Sequence, residues 1–216
     1  MKNIAIYGSG GFGKEVACLI DRINRAAETP RWKLIGFFDD GKPAGTAVSH
    51  YGNVLGGINQ LNSWPTPLDV TIAMGSPSVI KMIAEKITNE QVSFPNVIDP
   101  SFTLADKDTF TIGCGNLIQR DCFASCDTVI GNFNVLNGSV VIGHDARLGN
   151  YNVIMPNVRI SGDVTIGELN LLGVSSTIIQ RVKIGKGVRL SPGSVLLSKP
   201  KDDGLYIGNP AKRFKY

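Results

Sequence analysis

Aliphatic residues recur every sixth position through the second half of the chain. Ile112, Ile118, Ala124, Ile130, Leu136, Ile142, Leu148, Ile154, Ile160, Ile166, Leu172, Ile178, Ile184, Leu190 and Leu196 hold one register without a break, and only Ala124 among them is neither Ile nor Leu. Two residues before each lies a mostly small or β-branched side chain, such as Cys122, Thr128, Val140, Ala146, Val158, Val164, Ser176, Val182 and Ser194. A period of six matches neither a lone helix nor the alternation of a simple strand. It is the pattern of a parallel β-helix, in which each short strand buries its apolar residue against the coils above and below. Three hexads close one triangular coil of eighteen residues, so fifteen give five coils. A Val/Ile-rich sandwich with chance spacing would not keep one register from residue 112 to residue 196. The position after the aliphatic is often glycine (Gly113, Gly131, Gly143, Gly149, Gly167, Gly173, Gly185), which is expected near corners, where a residue without Cβ takes conformations costly for others.

The first hundred residues carry a different pattern. Asn3–Tyr7 is a short apolar strand, followed by a glycine loop and a helix from about Lys14 to Asn24. Lys33–Phe38 and Val70–Met74 read as further strands, and Ser78–Thr88 as a helix capped by Ser76 or Ser78. Strands alternating with helices predict an α/β domain with a small Rossmann-like parallel sheet. The expected organisation is a nucleotide-binding domain over residues 1–100, a β-helix over 101–198, and a tail over 199–216 that breaks the register and covers the last coil as a loop.

Composition narrows the function. Hydrophobic content of 43% is that of an ordinary globular chain, and no apolar run approaches a membrane span. The opening MKNIAIYG lacks a signal-peptide core, which makes a cytoplasmic protein the expectation. A net charge of +4 with dispersed Lys and Arg offers no nucleic-acid face. Cys18, Cys114, Cys122 and Cys126 are expected as free thiols.

Gly8-Ser9-Gly10-Gly11-Phe12-Gly13 satisfies G-x-G-x-x-G between a strand and a helix. In that setting backbone N–H groups and the helix N-terminus favour a phosphate. Asp39 or Asp40, ending the second strand, is placed to accept hydrogen bonds from a ribose or a base. A Walker A reading fails at Glu15, where Ser or Thr must meet magnesium, and a nicotinamide dehydrogenase needs a longer domain. In the repeats, His144 falls two residues after inward-facing Ile142 and so points outward, with Asp145 beside it to fix its tautomer. Eighteen residues on lies Gly162, one layer above at about 4.8 Å, where an N–H could meet a developing oxyanion and a missing side chain would leave room for ligand. Cys126 lies one layer below and admits a Cys–His reading, with packing the plainer role. A metal site is not expected, because the β-helix holds a single histidine.

Taken together, Tyr7–Gly13, Phe38-Asp39-Asp40, Ala73-Met74-Gly75, Ile142–Asp145 and Ile207–Lys212 make the chain similar to the bacterial hexapeptide-repeat sugar acyltransferases of the PglD/NeuD type. That resemblance implies a left-handed β-helix, a trimer with active sites between subunits, and acetyl-CoA as co-substrate. It implies transfer to the C4 amine of a UDP-linked amino-deoxyhexose for glycan or glycoprotein synthesis, or, as the alternative, to a sialic acid hydroxyl; a non-catalytic nucleotide-sugar-binding subunit is the remaining rival. It also implies His144 as general base supported by Asp145, Asn137 near the acceptor, Gly162 and Gly173 at acetyl-CoA, and Gly8, Ser9, Gly10, Gly11, Phe12, Asp39, Asp40 and Gly75 around the nucleotide sugar. Two departures bear on the acceptor: Phe12 stands where some amino-sugar relatives have histidine, and Asn150-Tyr151-Asn152-Val153 replaces a stretch that often carries a second histidine.

Overall fold

The computed structural model describes residues 1–214, and the chain divides into two compact units, residues 1–100 and 101–216. In the first, five parallel strands run in the order β3-β2-β1-β4-β5, with β1 Lys2–Tyr7, β2 Trp32–Phe38, β3 Val54–Gly56, β4 Leu68–Ile72 and β5 Val92–Ser93. Helices α1 (Gly11–Ala26), α2 (Ile58–Asn62) and α3 (Pro77–Lys86) connect them. The central strand β1 buries Ile4, Ala5, Ile6 and Tyr7 together, as a strand covered on both faces must. Helix α1 turns Val16, Ala17, Leu19 and Ile20 onto the sheet. The expected serine cap of α3 does not form: Ser76 occupies the N-cap position without a side-chain bond to the helix, and its Oγ pairs with Ser78 Oγ instead. The unit ends in a short strand, β6 (Val97–Ile98), followed by Asp99, whose buried carboxylate takes two bonds from Arg22 at 2.8 and 3.0 Å.

The second unit is a parallel β-helix with three faces. Face one stacks six two-residue strands, from Thr103–Leu104 to Val195–Leu196; face two stacks five, from Thr111–Ile112 to Lys183–Ile184. Face three runs from Leu117–Ile118 through Arg189–Leu190 to Leu205–Ile207. Partners across layers are eighteen residues apart throughout the repeats, as in Val141↔Arg159 and Ile142↔Ile160. The aliphatic of each hexad and the residue two before it form the interior: Ile142, Ile154, Val140, Val158 and Ala146 are fully buried. Each such Ile or Leu contributes about 1.5–3 kcal/mol by leaving water.

Three expectations change here. First, the glycines after the aliphatics are not the left-handed residues. That conformation falls two positions later, at Asp121, Asp127, Phe133, Ser139, Asp145, Tyr151, Asn157, Asp163, Leu169, Ser175 and Arg181. Gly131, Gly149 and Gly167 are needed because coils touch there: a Cβ on each would lie 2.4 Å from the carbonyl oxygen of the glycine one layer up. Second, the tail over 199–216 is not simply a loop. Leu205–Ile207 extends face three, and Lys212–Phe214 returns antiparallel against it; residues 215 and 216, the end of that tail, lie outside the described residues. Third, the coils begin before Ile112, because Thr103–Leu104 already pairs with Phe123–Ala124.

The interior also holds a polar column. Asn116, Asn134, Asn152 and Asn170 are fully buried, one per coil, at the inward position before face three. Each amide donates to a stacked glycine carbonyl, as Asn134 to Gly149 at 2.9 Å and Asn152 to Gly167 at 2.9 Å. Each of the upper three also donates to the Oδ1 below, with Asn152 reaching Asn134 at 3.0 Å and Asn170 reaching Asn152 at 2.9 Å. Buried polar groups persist when they are paired in this way.

Candidate active site

On the β-helix, the corner between faces one and two carries the reactive group. His144 follows Ile142 by two residues and Asp145 takes the left-handed conformation, φ 59°. This turn brings the carboxylate back onto the ring, and Asp145 Oδ2 lies 2.7 Å from His144 Nδ1. Both side chains are about half exposed. A proton on Nδ1 is held by the carboxylate, so the outer nitrogen, Nε2, is left as the free base.

Gly162 is one layer above, as the eighteen-residue arithmetic requires: Asp163 N–H donates to His144 O at 2.8 Å. The space left by its missing side chain is filled by the imidazole, not by open solvent, since a Cβ there would stand 2.3 Å from His144 Nε2. The left-handed residue of this turn is Asp163, φ 55°, rather than Gly162. Ser161 and Asp163 both donate N–H bonds to neighbouring coils, while the Gly162 N–H between them has no acceptor among the described residues. An unpaired N–H beside a base is suited to a developing negative charge. Cys126 lies one layer below, its carbonyl accepting from Asp145 N–H; its sulfur has Ser125 Oγ at 3.9 Å and no hydrogen bond to His144.

Asn137 and Gly173 do not join this group. Both lie at the corner between faces three and one, in a single column that runs Gln119, Asn137, Met155, Gly173, Ser191 and Ile207. The Asn137 amide faces the Met155 sulfur at 3.7 Å. Face one therefore has His144 and Gly162 along one edge and Asn137 and Gly173 along the other.

In the first unit the glycine loop passes between β1 and α1. Gly8 has φ 111° and a Cβ would meet the Ala73 carbonyl at 2.7 Å, while one on Gly13 would meet the Gly8 carbonyl at 2.0 Å, so both are required for helix and strand to approach. Gly10, Gly11 and Gly75 face open space, with nothing within 4 Å of an added Cβ. Gly10 caps a sixteen-residue helix that has no acidic side chain in its first turn, leaving N–H groups and a positive dipole end available to an anion. Phe12 lies in that first turn, half-buried.

Asp39 and Asp40, expected as ligand acceptors, are first of all ties within the loop. Asp39 Oδ2 accepts from Ser9 N–H at 2.9 Å and Ser9 Oγ at 2.5 Å, and Oδ1 from Gly41 N–H at 2.9 Å. Burial pulls the Asp39 pKa upward, but these donors and the charge of Lys42 outweigh it and hold the carboxyl below its ordinary value. Asp40 accepts from the Tyr7 hydroxyl at 2.5 Å and from Ile58 N–H, at the start of α2, at 2.8 Å. Burial and then the Asp40 bond raise the Tyr7 pKa well above that of an ordinary tyrosine. Lys42 was not singled out from sequence, yet its ammonium donates to the Ser9 carbonyl at 3.0 Å and brings positive charge to the loop. No three His, Cys, Asp or Glu side chains among the described residues converge on a metal-sized site, and no helix there is long and apolar enough to cross a membrane.

Comparison with known proteins agrees with both halves. Residues 3–87 match the PglD N-terminal domain. The acetyltransferase domain of PglB from Neisseria gonorrhoeae superposes with a TM-score of 0.88 at 25% identity, over 99% of this chain and 100% of that one. The same domain in complex with acetyl coenzyme A gives 0.87 at 26% identity, over 99% of each chain. WeeI from Acinetobacter baumannii gives 0.86 at 25% identity, over 99% and 100%. The perosamine N-acetyltransferase of Caulobacter crescentus, in a mutant form with CoA and GDP-perosamine, shares the fold at 24% identity with a TM-score of 0.85, over 100% and 98%. No curated protein matches by sequence. The chain is thus similar at its start to the PglD N-terminal domain, and over its whole length to the acetyltransferase domain of PglB and to WeeI.

Proposed function

We propose that the protein transfers acetyl from acetyl-CoA to the C4 amine of a UDP-linked amino-deoxyhexose, with His144 as general base. The observation that carries this reading is the 2.7 Å contact between His144 Nδ1 and Asp145, which turns a basic Nε2 outward beside the unpaired Gly162 N–H. Nε2 accepts a proton from the amine as its nitrogen attacks the thioester carbonyl, and Asp145 stabilises the imidazolium that results; the C–S bond then breaks, and CoA leaves as the thiol with the proton returned from the imidazolium. The Gly162 N–H donates to the carbonyl oxygen as it gains charge. Holding both substrates together makes a covalent enzyme intermediate unnecessary. The glycine loop holds the nucleotide of the acceptor, with Gly8–Phe12 and Gly75 around the phosphates and the remaining lone pairs of Asp39 and Asp40 toward the nucleoside.

Asn137 and Gly173 stand on the opposite edge of face one from His144, and that division supports a homotrimer in which one subunit's His144 edge meets the next subunit's Asn137 edge. The 23.1 kDa chain is then a trimer in solution, and light scattering that finds an active monomer contradicts it. The coenzyme and the sugar nucleotide are cytoplasmic metabolites, so the enzyme works in the cytoplasm and supplies glycan or glycoprotein assembly. An O-acetyltransferase acting on a sialic acid would use the same base on a hydroxyl. Incubation with acetyl-CoA and either a UDP-linked 4-amino-sugar or a sialic acid, followed by mass spectrometry, separates the two: acetyl gained by the amine supports the proposal, and acetyl gained by the sialic acid alone overturns it. Melting curves with UDP, GDP and NAD then rank the bases, since a ligand of the native state raises the transition.

A further inference from the structure

Among the described residues, four buried side-chain atoms have no hydrogen-bond partner: Trp64 Nε1, Thr71 Oγ1, Ser176 Oγ and Gln119 Nε2. Trp64 and Thr71 belong to the first unit, and Ser176 faces the interior of the β-helix. Of the four, Gln119 alone stands at a corner of the β-helix, in the column directly below Asn137. Its backbone N–H donates to Leu136 O at 2.8 Å, while the Asn137 amide is turned the other way, toward the Met155 sulfur. A buried amide without a partner costs stability, so Gln119 is kept at this corner for something other than stability. The residue as a whole is half-buried, and the terminal torsion of a glutamine is soft, so a turn about it carries the nitrogen to the surface. An amide both donates and accepts, which suits a hydroxyl.

The layers pair across face one. Gln119 and Cys126 flank the strand Phe123–Ala124, Asn137 and His144 flank Val141–Ile142, and Met155 and Gly162 flank Arg159–Ile160. In the mechanism above, the carbonyl oxygen lies at Gly162 and the attacking nitrogen at His144, one layer lower. The acceptor therefore extends from the reacting carbon toward the lower coils. A pyranose, built of bonds of roughly 1.5 Å, spans about 5 Å, which is close to one layer of about 4.8 Å. With its C4 nitrogen in the His144 layer, the sugar reaches the layer of Cys126 and Gln119. On the His144 edge that layer offers the Cys126 thiol, a weak hydrogen-bonding group. In a trimer whose axis runs along the coils, each layer keeps its height from one subunit to the next. The group facing the sugar across the interface at this height is then the next subunit's Gln119.

We propose that Gln119 determines acceptor specificity, its amide hydrogen-bonding the C3 hydroxyl of a sugar held by His144 of the adjacent subunit. In a 4-amino-6-deoxyhexose C5 bears the methyl group, so C3 alone offers a hydroxyl next to the amine. This rests on the acetyl transfer proposed above, and the test separates the two claims. The assay compares a UDP-linked 4-amino-6-deoxyhexose with its 3-deoxy analogue, in the wild type and in Gln119→Met, which keeps the chain length and removes the amide. The variant should lose about tenfold in kcat/KM with the 3-hydroxyl acceptor, the worth of one hydrogen bond, and nothing with the 3-deoxy acceptor. The KM for acetyl-CoA should not move. The ratio between the two acceptors is independent of the folded fraction, so it survives any partial misfolding. Urea unfolding should show a midpoint equal to or above that of the wild type, because an unpaired buried amide has been replaced by an apolar chain. Equal losses with both acceptors, or no loss with either, overturn the assignment while acetyl transfer by the wild type stands. If the wild type acetylates neither acceptor, the functional reading fails and the assignment falls with it.

Discussion

Replacing Gly162 by Ala tests the layer geometry and the base together. The added Cβ would stand 2.3 Å from His144 Nε2, whereas ordinary contact begins near 3.4 Å. The imidazole must therefore withdraw by about 1 Å, and a displacement of that size at a reacting group costs on the order of 10²-fold in rate. The backbone does not resist the change, because the left-handed residue of the turn is Asp163, and the ring that must move is half exposed. Gly162→Ala should thus fold and melt close to the wild type while kcat falls about 10²-fold. Gly167→Ala is the contrast. Its Cβ would lie 2.4 Å from the Gly185 carbonyl, a backbone atom that cannot swing away, so it should lose about 1–3 kcal/mol of stability and keep normal turnover per folded molecule. Steady-state kinetics with chemical denaturation on both variants decides the matter. A Gly162→Ala enzyme with unchanged kcat would refute the reasoning, as would a pair of variants that differ in neither property.

Asp145→Asn should reduce kcat about tenfold, and less than loss of His144, because the ring stays in place and loses only its charged partner; an unchanged kcat would remove Asp145 from the mechanism. Asn152→Ala takes away donors to Asn134 and Gly167 and the acceptor of Asn170, and should cost about 3 kcal/mol in urea unfolding, with a cost near zero denying the column a structural role. Tyr7 has its pKa raised in the folded state, so its contribution is complete below pH 10.0, the ordinary value, and declines as pH climbs toward the folded value. Tyr7→Phe should accordingly lose less stability than the wild type between about pH 9 and 11 in calorimetry, and parallel losses would contradict that coupling.

The hexad register was legible because every coil repeats one chemical demand, an aliphatic facing inward, at fixed spacing. Its beginning was hidden, since eight residues separate Leu104 from Ile112 where the repeat has six, the extra length forming the turn that Asp106 ties to Asp108 and Thr109. The asparagine column escaped notice because its period is eighteen: read hexad by hexad, Asn116, Asn134, Asn152 and Asn170 look like exceptions, and read coil by coil they form a pattern. The glycine positions were recognised for the wrong reason. Composition marks them as corners, but only the stacked coils show that carbonyl contact at Gly149 and Gly167, rather than positive φ, excludes a side chain. His144, Asp145 and Gly162 were placed together by arithmetic alone. The ties of Asp39 and Asp40 within the loop were not, because a carboxylate after a strand reads the same in sequence whether it meets a ribose or Ser9 and Tyr7.

The central claim is that His144 removes the proton from a sugar amine during acetyl transfer. Its most direct test is the release of CoA thiol, followed with a UDP-linked 4-amino-6-deoxyhexose as acceptor, for the wild type and for His144→Ala. The account predicts release that requires the amine and falls about 10² to 10⁴-fold in the variant, with the affinity for the nucleotide sugar nearly unchanged. Thiol release by His144→Ala at the wild-type rate would contradict it.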